Sequence, residues 1–271
     1  NELQQNPDLT PADFVILARL RVNDVEDRIK AAFRDQNLKV RNEARTVGGI
    51  AIQDLVNEKA YSFLLASVKL AVNVRDGQPF QHCRNTIADV RGADLNSDKG
   101  HSETLHAVRS IIGELEHLIN GRNPSEVTGR EIADLILVHI ERGELQRTYR
   151  EYIGGERLNS TINGFEAFFD ECRDGSASWS ECISNMEGSD SVRLMTIHKS
   201  KGLEYHTVIF AEFNDDAFWG NDDDVNVFFV ALSRACERVY FSFTKDSKGS
   251  KNVMELYKKL QSSQVPFFSR P

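Results

Sequence analysis

The order of apolar patterns along the chain constrains its fold more than any other feature. Near the N-terminal end, an apolar run at Phe14–Ala18, an amphipathic pattern over 24–36 and a short run at 38–40 predict strand, helix and strand. We expect Asn23 to cap that helix. Three more strand-like runs lie near the other end, at 192–195, 207–211 and 238–243. The long stretch between the two ends carries almost only helical patterns.

Each of the two strand-bearing ends is too short to form a complete layered domain, so we expect them to share one sheet. The predicted fold is α/β: a parallel sheet with helices on both faces, interrupted by an all-α insertion that leaves and re-enters the same domain. The sheet domain is assigned to 1–45 and 190–260, the insertion to 46–187 and a tail to 261–271. The longest helical patterns of the insertion cover 52–74, 102–120, 131–141, 144–152 and 162–172.

Composition is that of a globular protein, with 40% hydrophobic and 27% charged residues among 271. The net charge of −8 argues against a surface that coats nucleic acid as a whole, although it leaves room for a local basic groove. The four cysteines form no C-x-x-C pair, which favours buried, reduced thiols over a zinc site or a disulfide framework. No apolar run is long enough to cross a bilayer and the polar N-terminus is no signal peptide, so we expect a cytoplasmic protein.

A polar loop follows the predicted strand at 192–195 and reads Thr196-Ile-His-Lys-Ser-Lys-Gly-Leu-Glu204. Ligands of parallel α/β sheets bind at the carboxyl ends of the strands. Hydroxyl, imidazole and ammonium groups suit phosphate contacts, Gly202 permits a turn, and Glu204 can accept a hydrogen bond from a ribose hydroxyl. From the residues alone, a polyanion site and a solvated surface turn are about equally favoured.

Arg234 lies in a second informative segment, Val230-Ala-Leu-Ser-Arg-Ala235, which has an apolar pattern at helical spacing. An arginine within an apolar helix normally has an anionic partner. That partner is either a carboxylate of this chain, giving an internal salt bridge, or a phosphate presented by a neighbouring domain.

Taken together, the two segments resemble motifs V and VI of the UvrD/Rep/PcrA-type superfamily 1 DNA helicases. The stretch from Val192 to Tyr205 is similar to motif V, and Phe229-Val-Ala-Leu-Ser-Arg-Ala235 is similar to motif VI, with Ser233 where a threonine is usual. The resemblance covers 191–243. It implies the C-terminal part of a helicase, namely its second RecA-like domain with an inserted helical domain.

The resemblance also implies roles for particular residues. Thr196 and His198 would contact the backbone of single-stranded DNA. Lys201, Gly202 and Glu204 would lie at the nucleotide, with Glu204 on the ribose. Arg234 would be the catalytic arginine finger that reaches the γ-phosphate across the domain cleft and stabilises the transferring phosphoryl group. The cofactor would be ATP with Mg²⁺, and the helical insertion would contact duplex DNA or a protein partner.

The segment between the two motifs departs from the family pattern in two ways. It is shorter than in many relatives, and its acidic run at 222–226 lacks the usual arginines. The chain also contains no Gly-Lys dipeptide and therefore no Walker A loop. Phe168-Phe-Asp-Glu-Cys172 looks like an acidic box, but its helical spacing argues against a Walker B strand. Because the chain lacks an initiating Met, we expect it to derive from a longer protein whose N-terminal RecA-like domain holds the Mg²⁺ ligands. The chain alone should then be inactive as an ATPase. The alternative is a non-catalytic helicase-like module for protein interaction.

Overall fold

A computed structural model describes residues 2–73, 77–242 and 251–262. Its strands are β1 (Phe14–Ala18), β2 (Lys39–Asn42), β3 (Thr46–Val47), β4 (Ile50–Ala51), β5 (Ser191–Thr196), β6 (Tyr205–Phe210) and β7 (Ala235–Phe241). Its helices are α1 (Glu2–Gln5), α2 (Val22–Asp35), α3 (Ile52–Leu55), α4 (Lys59–Ala71), α5 (Gly77–Arg91), α6 (Asp98–Ile119), α7 (Gly129–His139), α8 (Arg142–Thr148), α9 (Glu156–Arg173), α10 (Trp179–Glu187), α11 (Asp222–Leu232) and α12 (Lys251–Ser262). Short 3-10 segments occur at Pro11–Asp13, Pro124–Glu126, Arg150–Tyr152 and Ile197–Ser200. Most of the predicted tail, from 263 onward, lies outside the described residues. Among the described helices, none has the length and apolar character needed to span a membrane.

The chain divides into two compact units. The first, which we call the sheet unit, consists of Asn1–Ala44 and Gly188–Pro271, and the second, the helical unit, is Arg45–Glu187. The chain thus leaves the sheet unit after Ala44 and returns to it at Gly188.

The sheet unit is built on five parallel strands in the order β2-β5-β1-β6-β7. In the centre, Ile16 of β1 pairs with Leu194 of β5 on one side and with Ile209 of β6 on the other. All five residues of β1 are buried, as expected for a central strand covered on both faces. Because every strand runs the same way, the sheet has one carboxyl edge and one amino edge, and these names are used below.

Helices cover both faces of this sheet because alternate residues of each strand point to opposite sides. On one face, Phe14 and Ile16 pack in a cluster with Val22 and Val25 of α2. On the other, Val15 and Leu17 belong to a cluster that contains residues of α11 and α12, namely Val227, Phe228, Ala231, Val253 and Leu256. The α/β class predicted from the sequence is therefore confirmed, as is the parallel sheet with helices on both faces.

The helical unit has an apolar core of its own. Its largest fully buried side chains are aromatic, and they are Phe63, Tyr152, Phe165 and Phe169. The Tyr152 hydroxyl accepts a hydrogen bond from the Ala60 N–H at 3.0 Å. The predicted buried face of α9 is confirmed: Ile162, Phe165, Phe169 and Cys172 are all buried. Asp170 of the acidic box lies on this helix and not at the end of a strand. Its carboxylate accepts a hydrogen bond from the Gly129 N–H at 2.9 Å.

Several local predictions were wrong. Asn23 is not a cap: α2 begins at Val22, two residues before the predicted start, and the Asn23 side chain instead accepts a hydrogen bond from the Asn42 amide at 2.8 Å. The single helix predicted over 52–74 is two helices, α3 and α4, because the chain turns at 56–58. In this turn the buried Glu58 carboxylate pairs with Arg157, with 2.6 Å between Oε1 and Nη2. Sequence analysis assigned no helix to α5, whose first turn contains Gly77 and Pro79, or to α10. Three cysteines are buried as expected, but Cys236 is exposed.

Candidate functional site

The polar loop at 196–204 does not form one site, because it runs from the carboxyl edge of the sheet to the amino edge. Thr196 ends β5 and pairs with Ala18, whereas Glu204 directly precedes the first residue of β6. Since Leu17 pairs with Phe210, Thr196 is level with the end of β6. At about 3.3 Å per residue, the length of β6 separates Thr196 from Glu204 by roughly 20 Å. Glu204 therefore lies away from the carboxyl ends of the strands, where the residue pattern alone allowed a polyanion site.

At the carboxyl edge, the 3-10 segment Ile197–Ser200 presents the predicted DNA-contacting residues. Ile197 and Ser200 are buried, and the Ser200 hydroxyl donates to the Ile197 carbonyl at 2.7 Å. This internal bond closes the turn, so that the His198 imidazole is exposed while Thr196 is half-buried. The loop therefore offers a hydroxyl and an imidazole at the end of β5.

Gly202 makes the turn that redirects the chain toward the amino edge. Its φ of +89° lies in the left-handed region that glycine adopts without strain. A Cβ added at Gly202 would meet nothing within 4 Å, so the requirement for glycine is conformational and not steric. The turn is closed by the Leu203 N–H, which donates to the Ser200 carbonyl at 3.0 Å. Lys201 beside it is exposed.

The sequence predicts Arg234 within a helix, and this was wrong. Arg234 lies at the amino edge of the sheet, outside the helix. Helix α11 ends at Leu232 and β7 begins at Ala235, so Arg234 lies in the two-residue connection between them. The apolar pattern continues from helix into strand without interruption, which is why the sequence did not mark the boundary. Phe229, predicted to face the core, is 68% exposed.

The Arg234 guanidinium is held by neutral acceptors. Nη1 donates to the Leu203 carbonyl at 3.0 Å, Nε to the Val230 carbonyl at 3.2 Å and Nη2 to the Ser233 hydroxyl at 3.1 Å. No carboxylate of the described residues pairs with Arg234, so the internal salt bridge, one of the two alternatives for this residue, is not found there. Three of the guanidinium N–H groups are used in this way, out of the five that arginine carries. The positive charge and two donors remain for a ligand.

The two sequence neighbours of Glu204 are both hydrogen-bonded to Arg234. The Arg234 carbonyl accepts the Tyr205 N–H at 2.8 Å, while its side chain bonds the Leu203 carbonyl. The exposed Glu204 carboxylate therefore lies between two residues that both contact Arg234. The same edge of the sheet therefore carries a carboxylate that can accept from a hydroxyl and a guanidinium that can donate to an anion.

A second arginine, Arg19, follows β1 at the carboxyl edge and was not predicted as a site residue. It forms a buried ion pair with Asp224, and the exposed fractions of the two side chains are 7% and 1%. Asp224 also accepts the N–H groups of Trp219 and Gly220, each at 2.6 Å. Burial acts to raise the pKa of Asp224, but the hydrogen bonds from Arg19, Gly220 and Trp219 outweigh it and lower the pKa. The Asn221-x-x-Asp224 capping box was the one local signal available in the sequence.

A metal site does not emerge from the described ranges: no group of three His, Cys, Asp or Glu side chains there could hold an ion. The residues at the amino edge suit a nucleotide's ribose and phosphate, but they do not suit Mg²⁺.

Comparison with known families agrees with this architecture. The architecture is a RecA-like parallel sheet interrupted by a helical unit. The family model described as UvrD-like helicase C-terminal domain matches residues 51–246, and this chain belongs to that family. The match extends over most of the helical unit and over both segments that resemble motifs V and VI. A search of the curated proteins finds no match. Membership places the chain among helicases, which act on nucleic acids.

Proposed function

We propose that this chain is the C-terminal motor portion of an ATP-dependent DNA helicase that moves along single-stranded DNA. The observation that carries the proposal is the arrangement at the amino edge. Arg234 is fixed on both sides of Glu204 by the Leu203 and Tyr205 bonds, while its charge is left without a carboxylate partner among the described residues.

At the amino edge, each side chain has a distinct part. The Glu204 carboxylate accepts a hydrogen bond from a ribose hydroxyl. Arg234 is the arginine finger: its two remaining N–H groups and its charge stabilise the negative charge that develops on transferring phosphoryl oxygens. The Ser233 hydroxyl accepts from Arg234 and donates to the Val230 carbonyl at 2.9 Å, so it orients the guanidinium. Lys201 and Gly202 supply the turn that leads into this edge.

At the carboxyl edge, Thr196 and His198 contact the backbone of single-stranded DNA. The exposure of the His198 imidazole supports this role, since a ring N–H can donate to a phosphate oxygen from that position. In this proposal the DNA and the nucleotide bind at opposite edges of one sheet. A shift of the nucleotide edge can then be transmitted along the strands to the DNA edge.

ATP with Mg²⁺ is the proposed cofactor, and the other half of its site belongs to a RecA-like domain with a Walker A loop, the proposed N-terminal partner. That domain would supply the Mg²⁺ ligands. The helical unit is proposed to contact duplex DNA or a protein partner. A cytoplasmic location fits this assignment.

Two measurements test the proposal. The chain by itself, incubated with ATP, Mg²⁺ and oligo(dT), should bind the DNA without hydrolysing ATP, because it has no Walker A sequence. When assembled with the Walker A-bearing domain, it should hydrolyse ATP in a DNA-dependent way. Robust turnover by the isolated chain would refute the division of the site. An assembly that never turns over ATP would instead favour a non-catalytic helicase-like interaction module.

A further inference from the structure

Trp219 is an exposed aromatic side chain that the assigned roles leave unused. It lies in the loop that joins β6 to α11, and it is 57% exposed. The preceding residue, Phe218, is fully buried and packs on Phe210 and Phe213, with ring centroids 5.8 and 5.2 Å away. The loop thus anchors one aromatic ring in the core and holds the next one at the surface.

The position of Trp219 is fixed by the buried ion pair at the carboxyl edge. Its backbone N–H donates to the Asp224 carboxylate at 2.6 Å. The Arg19 guanidinium carbon lies 4.3 Å from the centroid of the Trp219 ring and 4.9 Å from that of Phe218. One face of the indole is therefore covered by a cation whose charge is already paired, and the exposed area comes from the opposite face and the ring edges.

Trp219 also lies at the same edge as the proposed DNA contacts. Arg19, which carries the ring, directly follows Ala18, and Ala18 pairs with Thr196 at the end of β5. The backbone-contacting hydroxyl and imidazole thus stand one strand away from the arginine that supports the indole. Single-stranded DNA offers a protein two kinds of group to contact, the phosphate backbone and the flat bases. Thr196 and His198 suit the first, and an indole face suits the second.

We propose that Trp219 is a stacking platform for a nucleobase of single-stranded DNA, which rests on the DNA-binding role proposed above for the carboxyl edge. Stacking on an indole face does not read the base edges, so the platform accepts any base. The Arg19–Asp224 pair is its support: it holds the ring in place without offering a free charge to the phosphates.

The first test uses the fluorescence of the chain's two tryptophans. The other one, Trp179, is in the helical unit, where its Nε1 donates to the Arg122 carbonyl at 2.9 Å. Titration with oligo(dT) should quench the wild-type emission and leave Trp219→Phe unquenched. An abasic oligodeoxyribose phosphate of equal length should quench neither protein. This measurement on the wild type does not depend on how any variant folds.

The second test compares Trp219→Leu with Trp219→Phe by fluorescence anisotropy of labelled oligo(dT). Leucine keeps an apolar side chain but loses the ring, so it should weaken binding by about 5- to 100-fold, whereas phenylalanine should stay within a few-fold of wild type. Matching thermal midpoints would show that both variants are folded. DNA that binds without quenching, with equal affinity for the two variants, would overturn the platform and leave the proposed function standing. If the wild-type chain shows no binding of single-stranded DNA at all, the carboxyl-edge assignment fails together with the platform.

Discussion

The two edges of the sheet each hold an arginine, and they hold it in opposite ways. At the amino edge, Arg234 is bonded to two carbonyls and a hydroxyl, so its position is fixed while its charge stays uncompensated within the described residues. At the carboxyl edge, Arg19 is bonded to the buried carboxylate of Asp224, so its charge is neutralised in place. The first arrangement suits a group that meets an anionic ligand, and the second suits a structural support.

The comparison shows that the number of hydrogen bonds does not by itself distinguish these two arginines. Both guanidinium groups are well bonded, and both lie directly next to a strand end. The difference is the charge of the acceptors. Neutral acceptors fix the position of a cation and leave its charge available to an anionic ligand. A carboxylate neutralises that charge.

Replacing Arg234 with alanine should have the largest effect on activity. In the assembly with a Walker A-bearing domain, ATP turnover should fall by about 10³-fold or more, because the proposed function has the Arg234 charge act on the transferring phosphoryl group. Binding of single-stranded DNA should change little, since the DNA edge lies at the other end of the strands. Turnover and DNA affinity measured on the same variant check both halves. Turnover near the wild-type rate would refute the finger.

Replacing Arg19 with alanine should mainly lower stability, whereas replacing Arg234 should mainly lower ATP turnover. The Arg19 substitution leaves the Asp224 carboxylate buried without its partner, so the free energy of unfolding should fall by roughly 3–5 kcal/mol, as is typical for half of a buried pair. Urea denaturation of the chain, followed by tryptophan emission, measures this loss. The matched control is Arg234→Ala, which should lose far less stability. Equal destabilisation by the two variants would break the contrast between the edges.

The pH dependence of stability sharpens the same contrast. The pKa of Asp224 is lower in the folded protein than its ordinary value, so the stability it contributes is present above the unfolded pKa, about 3.9 for Asp, and is lost as pH falls through the folded pKa. Denaturant midpoints of wild type and Asp224→Asn should therefore converge as the pH is lowered below about 4. A gap that stays constant between neutral and acidic pH would show that ionisation of Asp224 does not stabilise the fold.

Apolar patterns along the chain predicted the parallel sheet shared by its two ends, whereas single side-chain contacts between distant residues gave no signal. The strand Phe14–Ala18 was predicted with its observed bounds because a continuous apolar run leaves little choice. The link between Arg19 and Asp224 spans 205 positions and carries no local signal apart from the capping box. The loop at 196–204 looked like a single site because its polar residues are consecutive. Only the strand register shows that its two ends reach opposite edges.

Gly202 is the turn between those two ends, so substitution there tests the connection itself. Alanine at a φ of +89° should lower the free energy of unfolding by about 1 kcal/mol, because the left-handed conformation is costly for a residue with a Cβ. It should also weaken DNA binding slightly, because the turn at Gly202 would no longer fix the chain that follows His198. The measurement combines denaturant unfolding with anisotropy of labelled oligo(dT).

Gly113→Ala provides the matched control for Gly202→Ala. Gly113 lies inside α6 and also has open space around an added Cβ, but its φ is not positive. Alanine there should stabilise the chain by up to about 1 kcal/mol, because alanine is the better helix former. The two glycine substitutions add the same methyl group and should change stability with opposite signs. If Gly202→Ala were also stabilising, the turn could adopt another conformation, and the separation of the two edges would not depend on this glycine.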